Sequence, residues 1–347
     1  MTDSESRLRY LDLSGYAFSG KHAMIDLMRE FRSYTVAPFQ YEFNLLRIQG
    51  GIRDLESALM DDWSPIRSDA AIRRFRRIVR RFATRNSWIR PSTWLEATGW
   101  NYDDFFKGQF SAASNKYIDA LVDTTYRASW PFSAFDMATP ELFIRKLLKL
   151  LRINSAFDID YDLSAPDNFL ELTREYMNSL MLAFAEPAAH TVVMHNSFEP
   201  FNPSRTIRYF YEARSIIVDR DPRDMYVAQN TYVPPGTIQR PGPYRGAAVP
   251  PEIFVRRFRL CRAKILNTDE DPRRVLRLRY EDLVLRYDDT LVLILSFLAE
   301  SADSHVWRGS YFKPEISARN IGLWRNFYDQ RAVEYIAREL PEFCFEP

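Results

Sequence analysis

The stretch from Leu8 to Phe31 constrains this chain most. Tyr10, Leu11 and Leu13 form an apolar run that reads as a short buried strand. It breaks at Ser14 and Gly15, turns through Tyr16 to Gly20, and resumes at Lys21 as an amphipathic helix. Ala23, Ile25, Leu27, Met28 and Phe31 give that helix a broad apolar face. Strand, glycine turn, lysine and helix start together shape a backbone that holds an anion. The N–H groups at a helix start point outward, the helix dipole favours negative charge, and a lysine adds a full positive charge. The spacing Gly15-x-x-x-x-Gly20-Lys21 meets most of the phosphate-cradling pattern G-x-x-x-x-G-K-[ST]. Its last position is His22, where that pattern needs a hydroxyl to hold magnesium.

At 347 residues the chain is long enough for one large α/β domain, or for such a core with an insertion. Its net charge of +1 gives no global pull toward nucleic acid or membrane, so any basic patch is local. Two distant cysteines, Cys261 and Cys344, make no disulfide framework, which fits a reducing, cytoplasmic setting. The polar N-terminus carries no apolar signal core, and no run of about 18 apolar residues predicts a membrane span.

Residues 42–48 read as a second strand, followed by a turn at Gly50 and Gly51. From about Asp61 the character changes. Ala71–Phe82, Ser114–Tyr126, Pro140–Leu151 and Asn168–Ala185 carry helical spacing, and no strand is evident among them. Strands return at His190–His195, Arg214–Asp219 and Arg274–Arg279, each followed by a polar segment and a helix. The expected fold is α/β: a P-loop-like parallel sheet wrapped by helices, with a large all-helical insertion. Residues 1–60 and 188–347 form the core in this reading, and 61–187 the insertion. Ligands of such sheets bind beyond the carboxyl ends of the strands, where the polar segments lie. The proline- and glycine-rich stretch Tyr232–Pro251 reads as a long functional or mobile loop.

Four segments in order resemble the sulfotransferases that use 3′-phosphoadenosine 5′-phosphosulfate. They are FSGK at Phe18–Lys21, SIIVDRDPRD at Ser215–Asp224, LRYEDL at Leu278–Leu283 and SARNIGLW at Ser317–Trp324. The resemblance covers roughly the first 60 and the last 160 residues. It implies a metal-free transfer, with Phe18, Ser19, Gly20, Lys21 and His22 cradling the 5′-phosphosulfate and Lys21 beside the bridging oxygen. It further implies that Arg220 holds the 3′-phosphate, that Tyr280 lies near the adenine, and that Arg319 is a second 3′-phosphate contact. The family serine eight residues past that arginine is replaced here by Ala228, with the Gln229 and Asn230 amides beside it. The arginine-lysine-glycine triplet of the cytosolic members is absent as well. A base must take the acceptor's proton. His195, one of four histidines, stands at a strand end where members often place a lysine or histidine. Glu199 and His22 are the alternatives.

The resemblance points to a hydroxyl acceptor, with a sugar of a glycan or glycolipid foremost and another hydroxyl acceptor left open, while the net charge of +1 argues against a nucleic-acid partner. Within Ala71–Phe82, Ile72, Phe75, Ile78, Val79 and Phe82 form an apolar stripe. The arginines outside it read either as a solvated face or as Arg73, Arg76, Arg77 and Arg80 bordering a groove for an anionic acceptor. The aromatic stretches Trp88–Trp100 and Tyr126–Phe135 read mostly as core. Two other readings stand beside the transferase. One is a nucleotide-dependent kinase built on Gly15–Lys21, against which His22 counts. The other is a non-catalytic interaction protein on a degenerate sulfotransferase fold.

Overall fold

A computed structural model describes residues 8–84, 99–128, 139–151, 159–231, 249–265 and 270–346. Seven strands lie among them: β1 Arg9–Gly15, β2 Tyr34–Val36, β3 Thr124–Ala128, β4 Ile159–Leu163, β5 Thr191–His195, β6 Ala213–Asp219 and β7 Val275–Arg279. The chain divides into two compact units, one of residues 1–43 and 185–347 and the other of residues 44–184.

The first unit is built on a five-stranded sheet of order β2-β5-β1-β6-β7, and every pairing in it is parallel. Helices cover it, which is why its central strands are apolar on both faces. In β1 the five inner residues are all buried, and Leu13 pairs in register with His195 on one side and Ile216 on the other. The helix Lys21–Met28 buries Ala23, Met24, Ile25, Leu27 and Met28 in the same core as Leu11, Val193, Ile216, Val218 and Leu278. Asp12 is the exception in this apolar strand. It is fully buried, and its carboxylate accepts from the Ser197 N–H at 2.8 Å, the Ser215 hydroxyl at 3.3 Å and the Ser14 hydroxyl. A buried carboxylate is tolerated only when its oxygens are saturated in this way, and here the bonds tie β1 to β6 and to the end of β5.

The second strand of the sheet is not residues 42–48. It is the three-residue β2, and Asn44–Leu46 forms a 3₁₀ turn. Leu45 and Leu46 are fully buried, and the Asn44 N–H donates to the Tyr102 hydroxyl at 3.1 Å. The apolar character of that stretch records burial of a turn rather than a ladder. The unit meanwhile takes its edge strand from three residues, too few to show a period.

The second unit is helical around an aromatic core. The helix Pro65–Ala83 starts with Ser64, whose hydroxyl accepts from the Arg67 N–H, and has proline in its first turn. Phe75 packs edge-on to Tyr117, Tyr117 stacks on Tyr176 with centroids 4.6 Å apart, and Phe82 stacks on Tyr102 at the same distance. The expectation of helices alone is corrected here: β3 and β4 form an antiparallel pair. The helix over residues 114–126 stops at Leu121, and Thr124–Ala128 is strand. Tertiary hydrogen bonds fix β4. The Asp162 N–H donates to Asp69 at 3.1 Å and the Ser164 N–H to the Ser68 hydroxyl at 2.9 Å. β3 lies almost wholly exposed, so no apolar alternation marks it in sequence. The stretch 85–98, with Trp88, and most of the loop 232–251 lie outside the described residues.

Candidate active site

The carboxyl ends of β1, β5, β6 and β7 carry the polar segments of the first unit. From β1 the chain leaves at Gly15, where a Cβ would stand 2.4 Å from the Ser19 hydroxyl and 3.0 Å from the Val218 carbonyl. Only glycine lets the loop fold that closely over the end of β6. The loop closes with the Ser19 N–H on the Tyr16 carbonyl at 2.9 Å. It reaches the helix through Gly20 at φ +83°, where a Cβ would lie 2.5 Å from the Tyr280 ring. No side chain caps the helix that begins at Lys21. Ser19 is 1% exposed, and its hydroxyl makes no hydrogen bond among the described residues. A buried unpaired hydroxyl at an uncapped helix start suits an anion.

Lys21 extends to Glu42, with Nζ 3.0 Å from Oε1. The Asn196 amide, just past β5, donates to the same oxygen. His195 ends β5 and is 1% exposed. Its Nε2 lies 3.0 Å from the Pro38 carbonyl, which can only accept, so the proton sits on Nε2. Nδ1 is buried without a hydrogen bond among the described residues. Burial, and then the Lys21 charge, lowers the His195 pKa to about 4, leaving a neutral imidazole. His22 lies on the exposed side of the same helix start with its ring edge-on to Phe39. Partial desolvation followed by the Lys21 charge holds its pKa below the ordinary value. Glu199 is half-buried in the loop after β5.

Arg220 follows β6 and joins three segments. Its guanidinium donates to the Phe18 carbonyl at 3.2 Å and to the Asn320 carbonyl, and its carbon lies 5.1 Å from the centre of the Tyr280 ring. The Asp224 carboxylate stands 3.8 Å away. Arg220 Nε is buried and makes no hydrogen bond among the described residues. Tyr280, directly after β7, is 3% exposed; its ring floors the loop beneath Gly20 and its hydroxyl donates to the Ser317 carbonyl at 2.8 Å. The late loop is held from below by Asp224, which accepts from the N–H groups of Gly322 at 2.8 Å and Trp324 at 3.2 Å. Arg223 does not face the site. It grips Asp221 with Nε at 3.0 Å and its terminal nitrogen at 2.6 Å, and it stacks 4.2 Å from the Trp324 ring centre.

The structure therefore brings Phe18, Ser19, Gly20, Lys21, Arg220 and Tyr280 to one end of the sheet, with the loop of Arg319 beside them. Arg319 itself is exposed and makes no side-chain hydrogen bond or ion pair among the described residues. Ala228 is half-buried in the helix Pro222–Thr231, and the nearby Asn230 amide is engaged internally, donating to the Tyr226 carbonyl and accepting from the Val249 N–H. Glu42, the carboxylate paired with the Lys21 ammonium, escaped sequence reasoning. It lies 21 positions downstream in a segment whose apolar run reads as a strand, and nothing local ties it to the lysine. In the second unit, Arg73 is paired with Asp69 and Arg76 with Asp162, and Arg77 and Arg80 lie exposed to solvent.

No family model and no curated protein matches the sequence. Solved structures do resemble it. The sulfotransferase domain from the curacin biosynthetic pathway is 12% identical, with a TM-score of 0.40 over 98% of this chain and 100% of that one. The sulfotransferase domain of the Synechococcus PCC 7002 olefin synthase is 11% identical, with a TM-score of 0.41 over 100% of this chain and 98% of that one. Retinol dehydratase in complex with androsterone and the inactive cofactor PAP is 13% identical, with a TM-score of 0.35 over 96% of this chain and 81% of that one. Likeness at this level carries no chemistry to this chain.

Proposed function

We propose that this protein transfers a sulfuryl group from 3′-phosphoadenosine 5′-phosphosulfate to a hydroxyl of a glycan or glycolipid sugar, as a metal-independent cytoplasmic enzyme. The observation that carries this reading is the convergence on Arg220. One guanidinium links the loop at Phe18, the loop at Asn320 and the Tyr280 ring, so the motifs of the resemblance meet at one end of the sheet. The buried Ser19 hydroxyl and Arg220 Nε, unpaired among the described residues, are polar groups that suit an anionic ligand.

The donor, when bound, supplies an activated sulfuryl group on a phosphate leaving group. In this reading Phe18 to His22 hold the 5′ end, while Arg220, with Arg319 from the late loop, holds the 3′-phosphate. Tyr280 supports both by fixing Gly20 and Ser317. Lys21 offsets the negative charge that grows on the departing phosphate oxygen. A fixed charge aimed at developing charge contributes about 3–4 kcal/mol in a dry site. Glu42 is the proposed proton acceptor for the hydroxyl, because its carboxylate already stands 3.0 Å from the lysine that faces the donor. His195, neutral and with its Nε2 proton given to Pro38, serves as a positioning group for that region.

Calorimetric binding of 3′-phosphoadenosine 5′-phosphate, beside ATP with and without magnesium, tests the donor site. Metal-independent binding of the bisphosphate, tighter than ATP, is expected. A preference for magnesium-ATP would move the chain to the kinase reading. Binding of neither would leave a scaffold without a donor site.

A further inference from the structure

The helix Thr139–Leu150 is turned the wrong way for a globular protein. None of its residues is buried. Phe143 is 68% exposed, Ile144 55%, Leu147 47% and Leu150 80%, with Leu151 just beyond at 60%. At helical spacing these five side chains fall within an arc of about 120°. The opposite face carries Leu142, Arg145 and Leu148, which are only half-buried. The strongest apolar stripe of an amphipathic helix thus faces outward, and such a contiguous patch marks a surface that something covers.

Charge identifies the occupant. Lys146 and Lys149 are exposed along the edge of the stripe, Arg145 lies behind them, and Glu141 is the only acid in the helix. A broad apolar face of leucine, isoleucine and phenylalanine bordered by lysine suits the boundary between headgroups and acyl chains of an anionic bilayer. A helix of 12 residues is too short to span a bilayer, which takes about 20. No described helix is long and apolar enough to cross one. We infer that Thr139–Leu151 lies in the plane of an anionic membrane surface and docks the protein there, with Phe143, Leu147 and Leu150 inserted and Lys146 and Lys149 at the headgroups. This inference stands independently of the sulfuryl-transfer reading.

Co-sedimentation of the full chain with phosphatidylcholine vesicles, with and without phosphatidylglycerol, tests it, alongside analytical ultracentrifugation of the free protein. Binding to the phosphatidylglycerol vesicles, weakened by salt, is expected. Phe143→Asp/Leu147→Asp should lower the partition by at least about tenfold on either vesicle. Lys146→Glu/Lys149→Glu should lower it by about tenfold on the anionic vesicles alone. Both pairs are at the surface, and a circular-dichroism melt checks that the variants fold. Absence of vesicle binding by the wild-type protein would overturn the inference, as would unchanged binding of the aspartate variant. A wild-type dimer that binds no vesicles and that Phe143→Asp/Leu147→Asp converts to monomer would assign the stripe to a second copy instead.

Discussion

Lys21 Nζ lies 3.0 Å from Glu42 Oε1, and the Asn196 amide holds the same oxygen. In the proposed reaction the pair sets positive charge at the leaving group beside the carboxylate that takes the acceptor's proton. Neither residue is deeply buried: their side chains are 13% and 32% exposed, so the pair is reachable from solvent.

Lys21→Ala should lower sulfuryl turnover by about 10²–10³-fold while donor affinity falls much less. Steady-state rates alongside calorimetric donor binding separate the two effects. Turnover within a factor of a few of wild type would mean that the lysine is only Glu42's ion partner.

Glu42→Gln keeps the shape and removes the proton acceptor. Turnover should drop by about 10²–10⁴-fold, and the acidic limb of the pH–rate profile should disappear with it. If the acceptor's proton goes elsewhere, Glu42→Gln will keep both the rate and the acidic limb.

Arg220→Ala should weaken binding of 3′-phosphoadenosine 5′-phosphate while leaving adenosine 5′-phosphate, which lacks the 3′ group, nearly unchanged. Because Arg220 also bonds the Phe18 and Asn320 carbonyls, Arg220→Lys is the needed companion. Lysine restores the charge without the fork. Equal losses for the two nucleotides in both variants would assign Arg220 to loop structure rather than to the 3′-phosphate.

Gly20→Ala should destabilise the protein by about 1–3 kcal/mol through its left-handed backbone, and more through the Tyr280 ring 2.5 Å from the added Cβ. In a Tyr280→Ala background the collision is removed while the backbone cost remains. Denaturant midpoints for the four proteins give the coupling, and strict additivity would refute the proposed contact.

His195 predicts an acid-sensitive fold. Its pKa is lowered from 6.5 to about 4, so between those values the unfolded chain binds the proton and the native chain does not. Stability is complete above pH about 6.5 and falls by about 3 kcal/mol as the pH drops to about 4. His195→Gln should flatten that part of the stability–pH curve. Some slope will persist, because His22 and His190 are shifted the same way. Parallel curves for the two proteins would mean that His195 titrates normally.

The strand-loop-helix at Arg9–Met28 was legible in sequence because its apolar run, glycines and lysine are all local signals. The same holds for β6 ending at Asp219 and β7 ending at Arg279. These determine a parallel α/β sheet with polar segments at its carboxyl ends. Only the tertiary structure decided that β2 is Tyr34–Val36, since three residues carry no period. It alone placed β4 beside the helix of Ser68 and Asp69, because the bonds that fix it join residues more than 90 positions apart. It alone set Glu42 against Lys21, since a contact across 21 residues depends on how the intervening helix, strand and turn pack. And it alone turned the apolar stripe of Thr139–Leu150 outward: spacing tells which residues share a face of a helix, while the direction that face points is decided by what the rest of the chain leaves uncovered.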